Sequence, residues 1–219
     1  MRRLAAAALI VLIASLSSAL APALARDRAV AGQFDYYVLS LSWSPTWCGG
    51  KAGRSETEQC GGGRRYGFVV HGLWPQYAKG GYPAQCAAAQ PVPGRVVEDM
   101  LPLMPSRKLI QHEWSRHGTC DGGPPTEYFQ RTREAYERVR IPKLLQSPDT
   151  PQTLSVDQVE KLFIAANPGM DRKGLAVVCR GHQAAEIRVC LDRDLNFRPC
   201  GRDVRPRCKG GAAQFPAAR

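Results

Sequence analysis

Two runs near the start of the chain alternate large apolar side chains with the period of a β-strand. Residues 33–42 (QFDYYVLSLS) are rich in aromatic and β-branched residues, and residues 66–70 (YGFVV) form a second such run. Period two predicts a strand in each run. The second strand is expected to end at a turn formed by His71 and Gly72, and residues 43–65, with their Gly, Pro and Cys content, predict a loop.

The middle of the chain has the periodicity of helices. Residues 126–140 place their apolar side chains on one face, and a short helix interrupted by Pro102 is predicted over residues 94–104. Ser155 and Gln158 form a capping box, which predicts the start of a helix that ends before Asn167.

Strand patterns return over residues 174–179 and 186–192, before a tail rich in Pro and Cys. Strands on both sides of a helical middle indicate an α+β fold with a largely antiparallel central sheet packed with helices. The chain has 219 residues, 44% of them hydrophobic, which is enough for one sizeable core. We therefore predict a single domain over residues 26–219, in monomeric form.

The first 25 residues have the pattern of a secretory signal peptide. Two arginines precede an apolar run over residues 4–20, and residues 23–25 (ALA) form a small-residue cleavage site. The alternative is an uncleaved anchor, which the short run and the lack of a second apolar segment disfavour. We expect a mature chain that starts near Arg26, does not span a membrane, and is secreted or periplasmic.

The chain is basic, with 30 Lys and Arg against 19 Asp and Glu and a formal net charge of +11. It remains basic after loss of the two arginines of the signal peptide. A positive excess attracts polyanions, so nucleic acid or an anionic surface is the expected partner class.

Cysteine usage also fits an exported protein. An even number of cysteines behind an export signal predicts four disulfides. A zinc module is the alternative, but no C-x-x-C pair occurs and the spacings match no such module. The eight cysteines are Cys48, Cys60, Cys86, Cys120, Cys179, Cys190, Cys200 and Cys208.

The candidate chemistry lies in two short segments. On a helix with about 100° per residue, residues 109–117 place four side chains on one polar arc, those of His112, Glu113, Arg116 and His117. The other segment contains His71 at the predicted strand end.

Histidine has an ordinary pKa of about 6.5, so two histidines can supply the base and the acid of one reaction. RNA cleavage needs this pair. A base takes the proton of the ribose 2′-OH, the oxygen attacks the adjacent phosphorus, and an acid protonates the departing 5′-oxygen. Arg116 and His112 could stabilise the charge of the transition state, and neither a metal nor another cofactor is required.

Residues 68–75 (FVVHGLWP) and 112–120 (HEWSRHGTC) closely resemble the two signature segments of the ribonuclease T2 family. The start of the mature chain and its four C-terminal cysteines resemble the family more weakly. The resemblance implies the family's fold and cleavage of single-stranded RNA, but not DNA, by 2′-OH transesterification. It implies a 2′,3′-cyclic phosphate intermediate and slower hydrolysis to 3′-phosphate ends.

The resemblance also implies residue roles. His71 would donate the proton to the leaving group, and His117 would accept the proton of the 2′-OH. Glu113 and His112 would line the phosphate site. Arg116 stands where the family has a lysine, which keeps the charge but replaces a compact ammonium with a planar fork.

Three further residues are candidates for substrate contacts. Trp74 resembles the tryptophan on which a base stacks, Gln76 stands where the family varies its base preference, and Tyr82 could contact the substrate. Trp74 and Tyr82 could equally be core residues. The resemblance further suggests the disulfides Cys86–Cys120, Cys179–Cys208 and Cys190–Cys200, which leaves Cys48–Cys60.

Two other classes of protein are alternatives to a ribonuclease. A zinc hydrolase could use His71, His112 and His117, but the i, i+5 spacing of the last two sets them about 140° apart on a helix, unlike the i, i+4 pair of H-E-x-x-H. A catalytically dead RNA-binding protein of the same fold is disfavoured because both motif histidines and Glu113 are present.

Overall fold

The computed structural model describes residues 29–218, so the predicted signal peptide lies outside the described residues. Within this range no helix is both long enough and apolar enough to cross a bilayer. The central feature is a six-stranded sheet with helices packed against it.

The strands follow the order β2-β1-β5-β6-β3, and β4 pairs with β5. Every pairing is antiparallel except the short contact between β5 and β6. The predicted α+β class with a largely antiparallel sheet is therefore confirmed. The strands are β1 (Tyr36–Trp43), β2 (Phe68–Gln76), β3 (Gln152–Ser155), β4 (Leu175–Arg180), β5 (Gln183–Leu191) and β6 (Ala212–Phe215).

The three longest helices of the described residues pack against the sheet. α4 and α5 pack against β2, and α6 packs against β3 and β4. The predicted capping box is present at the start of α6, where Ser155 and Gln158 bond each other's backbone N–H groups. The α-helices of the described residues are α1 (Ser44–Gly49), α2 (Thr57–Cys60), α3 (Gly94–Met100), α4 (Arg107–Arg116), α5 (Pro125–Arg138) and α6 (Val156–Ala166).

Strand β1 lies between β2 and β5 and has a different environment on each face. Every second side chain, beginning with Tyr37, enters the main hydrophobic core. On the other face, Tyr36 and Val38 belong to a smaller apolar cluster. Ser40 and Ser42 follow them on this same face, because side chains alternate along a strand. Because serine is small, this part of the face leaves room for longer side chains from the two neighbouring strands.

The prediction that a turn ends β2 at His71 and Gly72 is wrong. The strand continues through both residues. Its register along β1 shifts at this point, because Ser40 pairs with Gly72 and Leu41 with Val70. His71 is therefore an extra residue on β2, and such a β-bulge redirects a side chain out of the regular alternation.

Other parts of the chain differ from their predictions. The predicted loop over residues 43–65 contains α1 and α2. β3 and β6 were missed because these four-residue strands have no alternating pattern of their own and are defined by their pairing. The predicted interruption at Pro102 is confirmed, because α3 ends at Met100, before this residue that has no backbone N–H to donate.

Four disulfides link the described chain, and they join the pairs that the family resemblance implies. Disulfides persist in oxidising compartments, so the four bonds indicate an export route. The bonds are Cys48–Cys60, Cys86–Cys120, Cys179–Cys208 and Cys190–Cys200.

Candidate active site

The bulge in β2 places His71 between two carboxylates. Its Nδ1 lies 2.8 Å from Oε1 of Glu186 on β5, and its Nε2 lies 3.7 Å from Oε1 of Glu113 on α4. Burial by itself lowers the pKa of His71, but the hydrogen bond to Glu186 and the negative charges of both carboxylates outweigh it and raise the pKa above 6.5. The protonated imidazolium is therefore favoured at His71, whose side chain remains 33% exposed.

Glu113 is almost fully buried, with 1% of its surface exposed. The indole Nε1 of Trp74 donates a hydrogen bond to its Oε2 at 2.7 Å. Burial raises the pKa of Glu113 to about 7, against the opposing effects of the His71 charge and the Trp74 hydrogen bond. This carboxyl group therefore changes its charge near neutral pH, directly beside His71.

His117 follows the last residue of α4 and has already left helical geometry, with φ −121° and ψ −42°. Its ring is 8% exposed and lies 5.6 Å from the ring of Tyr82 between centroids. Burial lowers the pKa of His117 to about 3, and the nearby positive charges of Arg116, His71 and His112 act in the same direction. The neutral imidazole, which can accept a proton, is therefore favoured at this position.

The two motif histidines meet at Trp74. The ring centroid of Trp74 lies 5.1 Å from that of His71 and 5.3 Å from that of His117. One histidine comes from the bulge in β2 and the other from the end of α4, so the fold joins the two sequence motifs around one indole. Their opposite pKa shifts give one proton donor and one proton acceptor at the same pH.

Arg116 and Tyr82 border His117. Nη2 of Arg116 lies 3.3 Å from the Tyr82 hydroxyl, and its guanidinium carbon lies 5.9 Å from the Tyr82 ring centroid. The segment that carries Tyr82 is tied to the end of α4 by the Cys86–Cys120 disulfide and by a hydrogen bond of 3.0 Å from Gln85 N to Arg116 O. Tyr82 is 46% exposed, so its ring is accessible to a ligand.

His112, the first residue of the second motif, is exposed. Together with His71 it lines a cleft of about 380 Å³, which Ser42, Val69 and Lys108 also border. Of the predicted polar arc, Glu113 and His112 lie beside His71. His117 lies beyond the helix end, against Trp74, and Arg116 next to it contacts Tyr82.

Gln76 and Trp74 both have partners within the chain. Gln76 is only 4% exposed, and its side-chain amide donates to the carbonyl of Pro75 at 3.1 Å. Its contact with a base stays a prediction. Trp74 is half-buried, and the guanidinium of Arg188 packs 5.1 Å from its ring centroid. Trp74 therefore lies between the two motif histidines and holds Glu113.

Sequence reasoning missed Glu186 and Arg188 on β5. Both Nε and Nη2 of Arg188 donate to Oε2 of Glu186, at 2.9 and 2.7 Å. One signal was available, since the two polar residues flank buried Ile187 and so share one face of a predicted strand. Nothing in the sequence shows that this face meets His71, because that depends on how the strands pair.

The chain is similar to known ribonucleases in sequence and in fold. The model of the Ribonuclease T2 family matches residues 34–200. A ribonuclease of Aeromonas hydrophila is 36% identical over 172 residues, which cover 75% of this chain and 74% of that protein. A probable ribonuclease of Haemophilus influenzae is 31% identical over 178 residues, which cover 76% of this chain and 61% of that protein. The crystal structure of RNase NT in complex with 5′-AMP has the same fold, with a TM-score of 0.68 at 22% identity over 84% of this chain and 98% of that one. The chain therefore belongs to the Ribonuclease T2 family and is a ribonuclease of the T2 type.

Proposed function

We propose that this ribonuclease is an endonuclease that cuts single-stranded RNA by 2′-OH transesterification, with His117 as the base and His71 as the acid. The observation that carries the proposal is the contact of both imidazoles with Trp74, in environments that favour a neutral His117 and a protonated His71. The two side chains supply both proton transfers of the reaction, so it needs no metal cofactor.

In the first step, neutral His117 takes the proton of the ribose 2′-OH, and the 2′-oxygen forms a bond to the adjacent phosphorus. The bond from phosphorus to the 5′-oxygen breaks, and the imidazolium of His71 gives its proton to that oxygen. The products are a 2′,3′-cyclic phosphate end and a free 5′-hydroxyl. DNA has no 2′-hydroxyl and is therefore not cleaved.

In the second, slower step the two histidines exchange roles. His71, now neutral, takes a proton from water, whose oxygen attacks the cyclic phosphate. The bond from phosphorus to the 2′-oxygen breaks, and His117 returns its proton to that oxygen. The product is a 3′-phosphate end, and both side chains regain their starting protonation states.

The surrounding polar groups stabilise the charge that gathers on the phosphate. Arg116 supplies a permanent positive charge beside His117, and His112 supplies a hydrogen-bond donor at the mouth of the cleft. The cleft of about 380 Å³ beside His71 offers room for part of a nucleotide next to the cleaved bond. Export as a monomer to the periplasm or the medium is part of the proposal, supported by the predicted signal peptide and the four disulfides.

The test is incubation of the purified mature protein with a mixed-sequence RNA oligomer in excess chelator. Mass analysis of the product ends should find 2′,3′-cyclic phosphates first and 3′-phosphates later. A DNA oligomer of the same sequence is the control and should remain intact. Cleavage that stops with chelator, or products with 5′-phosphate ends, would contradict the proposal.

A further inference from the structure

We propose that Glu186 on β5 is a positioning residue for His71, and that Arg188 on the same strand holds Glu186 in place. The inference rests on the proposed role of His71 as the acid of the first step. Neither residue lies in the two signature segments, and neither needs to touch the substrate. Their effect is on the orientation, tautomer and charge of the catalytic imidazole.

The contact geometry supports this role. Oε1 of Glu186 lies 2.8 Å from Nδ1 of His71, while Oε2 accepts two hydrogen bonds from Arg188, at 2.9 and 2.7 Å. Each carboxylate oxygen thus has its own partner, and the two-point contact with the guanidinium fixes the plane of the carboxylate. The imidazole of His71 is fixed in turn through its Nδ1.

The sheet explains how residues of β5 reach a residue of β2 across β1. Ser42 pairs with Glu186 and Ser40 pairs with Arg188, so the two serines lie directly between β5 and the bulge. Adjacent strands are about 4.8 Å apart, and only small side chains on the middle strand let longer ones meet above it. The Arg188 guanidinium also packs over Trp74, which ties this pair to the indole between the two catalytic histidines.

The hydrogen bond has a chemical consequence for His71. A carboxylate only accepts hydrogen bonds, so Nδ1 of His71 must carry a proton in both charge states. Nε2 is then the atom that gives its proton to the 5′-oxygen and that takes a proton from water in the second step. Glu186 thereby keeps the same nitrogen in use for both steps, as the carboxylate partner does in other catalytic histidine pairs.

Several charged groups face His71 and contribute to its titration. Glu186 and Arg188 approach from β5, and Glu113 approaches from α4. The imidazoles of His112, within α4, and His117, just after it, are the other titratable groups near His71. Glu186 and Glu113 raise the pKa of His71, whereas Arg188 lowers it. Removal of the Glu186 charge alone should therefore lower the pKa of His71.

The experiment compares wild type with Glu186→Gln by NMR titration and by pH–rate profiles. The chain has four histidines, so ¹⁵N-labelled imidazole signals can be assigned through single His→Ala variants. In wild type the neutral tautomer of His71 should carry its proton on Nδ1. In Glu186→Gln the pKa of His71 should fall by about one pH unit or more, and kcat/KM at about pH 8 should fall at least about tenfold with a much smaller loss at about pH 5.

Two further variants separate positioning from a purely structural role. Glu160→Gln is the matched control, because Glu160 on α6 is also buried and paired with an arginine, Arg172, and it should leave both the His71 pKa and kcat/KM unchanged. Glu186→Asp retains the charge and should restore part of the raised pKa of His71. If Glu186→Gln does not fold, the wild-type tautomer alone still tests the inference.

Two results would overturn the inference. One is a neutral His71 in wild type with its proton on Nε2. The other is a folded Glu186→Gln variant with an unchanged His71 pKa or an equal loss of activity at every pH. The NMR measurements of the His71 tautomer and of the His71 pKa do not depend on turnover. They can therefore contradict the role of Glu186 without contradicting the proposed ribonuclease mechanism, which the product ends test.

Discussion

A β-carbon on Gly72 would lie 2.1 Å from Oε2 of Glu113 and 2.5 Å from Nε1 of Trp74. The φ angle of Gly72 lies outside the left-handed region, so its backbone conformation suits any residue. Glycine is required here for space alone, because the carboxyl group of one motif and the indole of the other meet directly above the strand. The Gly72 position is thus part of the active-site geometry.

Gly72→Ala should therefore displace the Glu113 carboxyl group and lower kcat/KM by on the order of 100-fold, with a loss of about 1–3 kcal/mol in the free energy of unfolding. Activity assays and urea unfolding measure the two effects. Gly94→Ala is the matched control, since a β-carbon there meets no atom within 4 Å. An active Gly72→Ala variant would show that Glu113 is not needed where the structure places it.

His71→Ala and His117→Ala should each reduce the rate of RNA cleavage by about 10²–10⁴-fold, the usual contribution of a general acid or base. His182→Ala is the control, because His182 lies in the exposed turn between β4 and β5. Single-turnover assays with a defined RNA oligomer measure the rates. Wild-type turnover in either of the first two variants would rule out the paired mechanism.

The pH dependence of kcat/KM follows from the two opposite pKa shifts. The base is lost when His117 becomes protonated, so activity should fall as pH drops through about 3. The acid is lost when His71 becomes neutral, so activity should fall as pH rises through the raised pKa of His71, above 6.5. We expect a bell-shaped profile, measured in buffers of constant ionic strength. A steady rise toward alkaline pH would contradict it.

Burial of Glu113 should make stability depend on pH. Its pKa is raised from 4.5 to about 7 in the folded chain, so its contribution to stability is complete below about pH 4.5 and is lost as pH rises through about 7. Glu113→Gln removes this titration while keeping an oxygen for the Trp74 hydrogen bond. Between about pH 4.5 and pH 8 the wild type should lose on the order of 3 kcal/mol more unfolding free energy than the variant. Urea unfolding at both pH values measures the difference, and parallel pH curves for the two proteins would contradict it.

The Cys86–Cys120 disulfide should matter for activity as well as for stability. The variant with both cysteines replaced by serine should lose about 2–5 kcal/mol of unfolding free energy. It should also lose kcat/KM, because only hydrogen bonds then hold the segment of Tyr82 to Arg116. The Cys179–Cys208 pair is the control, with a sequence separation of 29 against 34 residues. Its removal should cost similar stability but little activity. Equal losses of activity at a temperature where both variants are folded would contradict a local role of the first bond.

Local pattern was enough to predict β1 and the capped helix α6, because each depends on residues close together in sequence. The antiparallel sheet was predicted from the order of strands and helices along the chain. The motif segments also identified the side chains around Trp74. The end of β2 was predicted incorrectly because glycine is common in turns. Gly72 instead lies within the strand, where its missing side chain leaves space for the Glu113 carboxyl group. Only the pairing with β1 shows that the strand continues.

The remaining differences arise from contacts between distant segments. Glu186 lies far along the chain from His71, and no periodicity indicates that β5 approaches β2 across two serines. The pKa shifts of His71, Glu113 and His117 arise from burial and from the charges of neighbouring groups. Both depend on the folded structure, so the sequence alone could not predict these shifts.

The bulge in β2 makes the pairing of the strands independent of the side chain at position 71. His71 has no partner in the register of β1, so the hydrogen-bonded ladder on either side does not depend on which side chain it carries. On the proposed mechanism, a single codon change at this position would silence the enzyme while the cleft, Arg116 and the four cross-links persist. Evolution could in this way turn such a nuclease into a protein that captures RNA without destroying it.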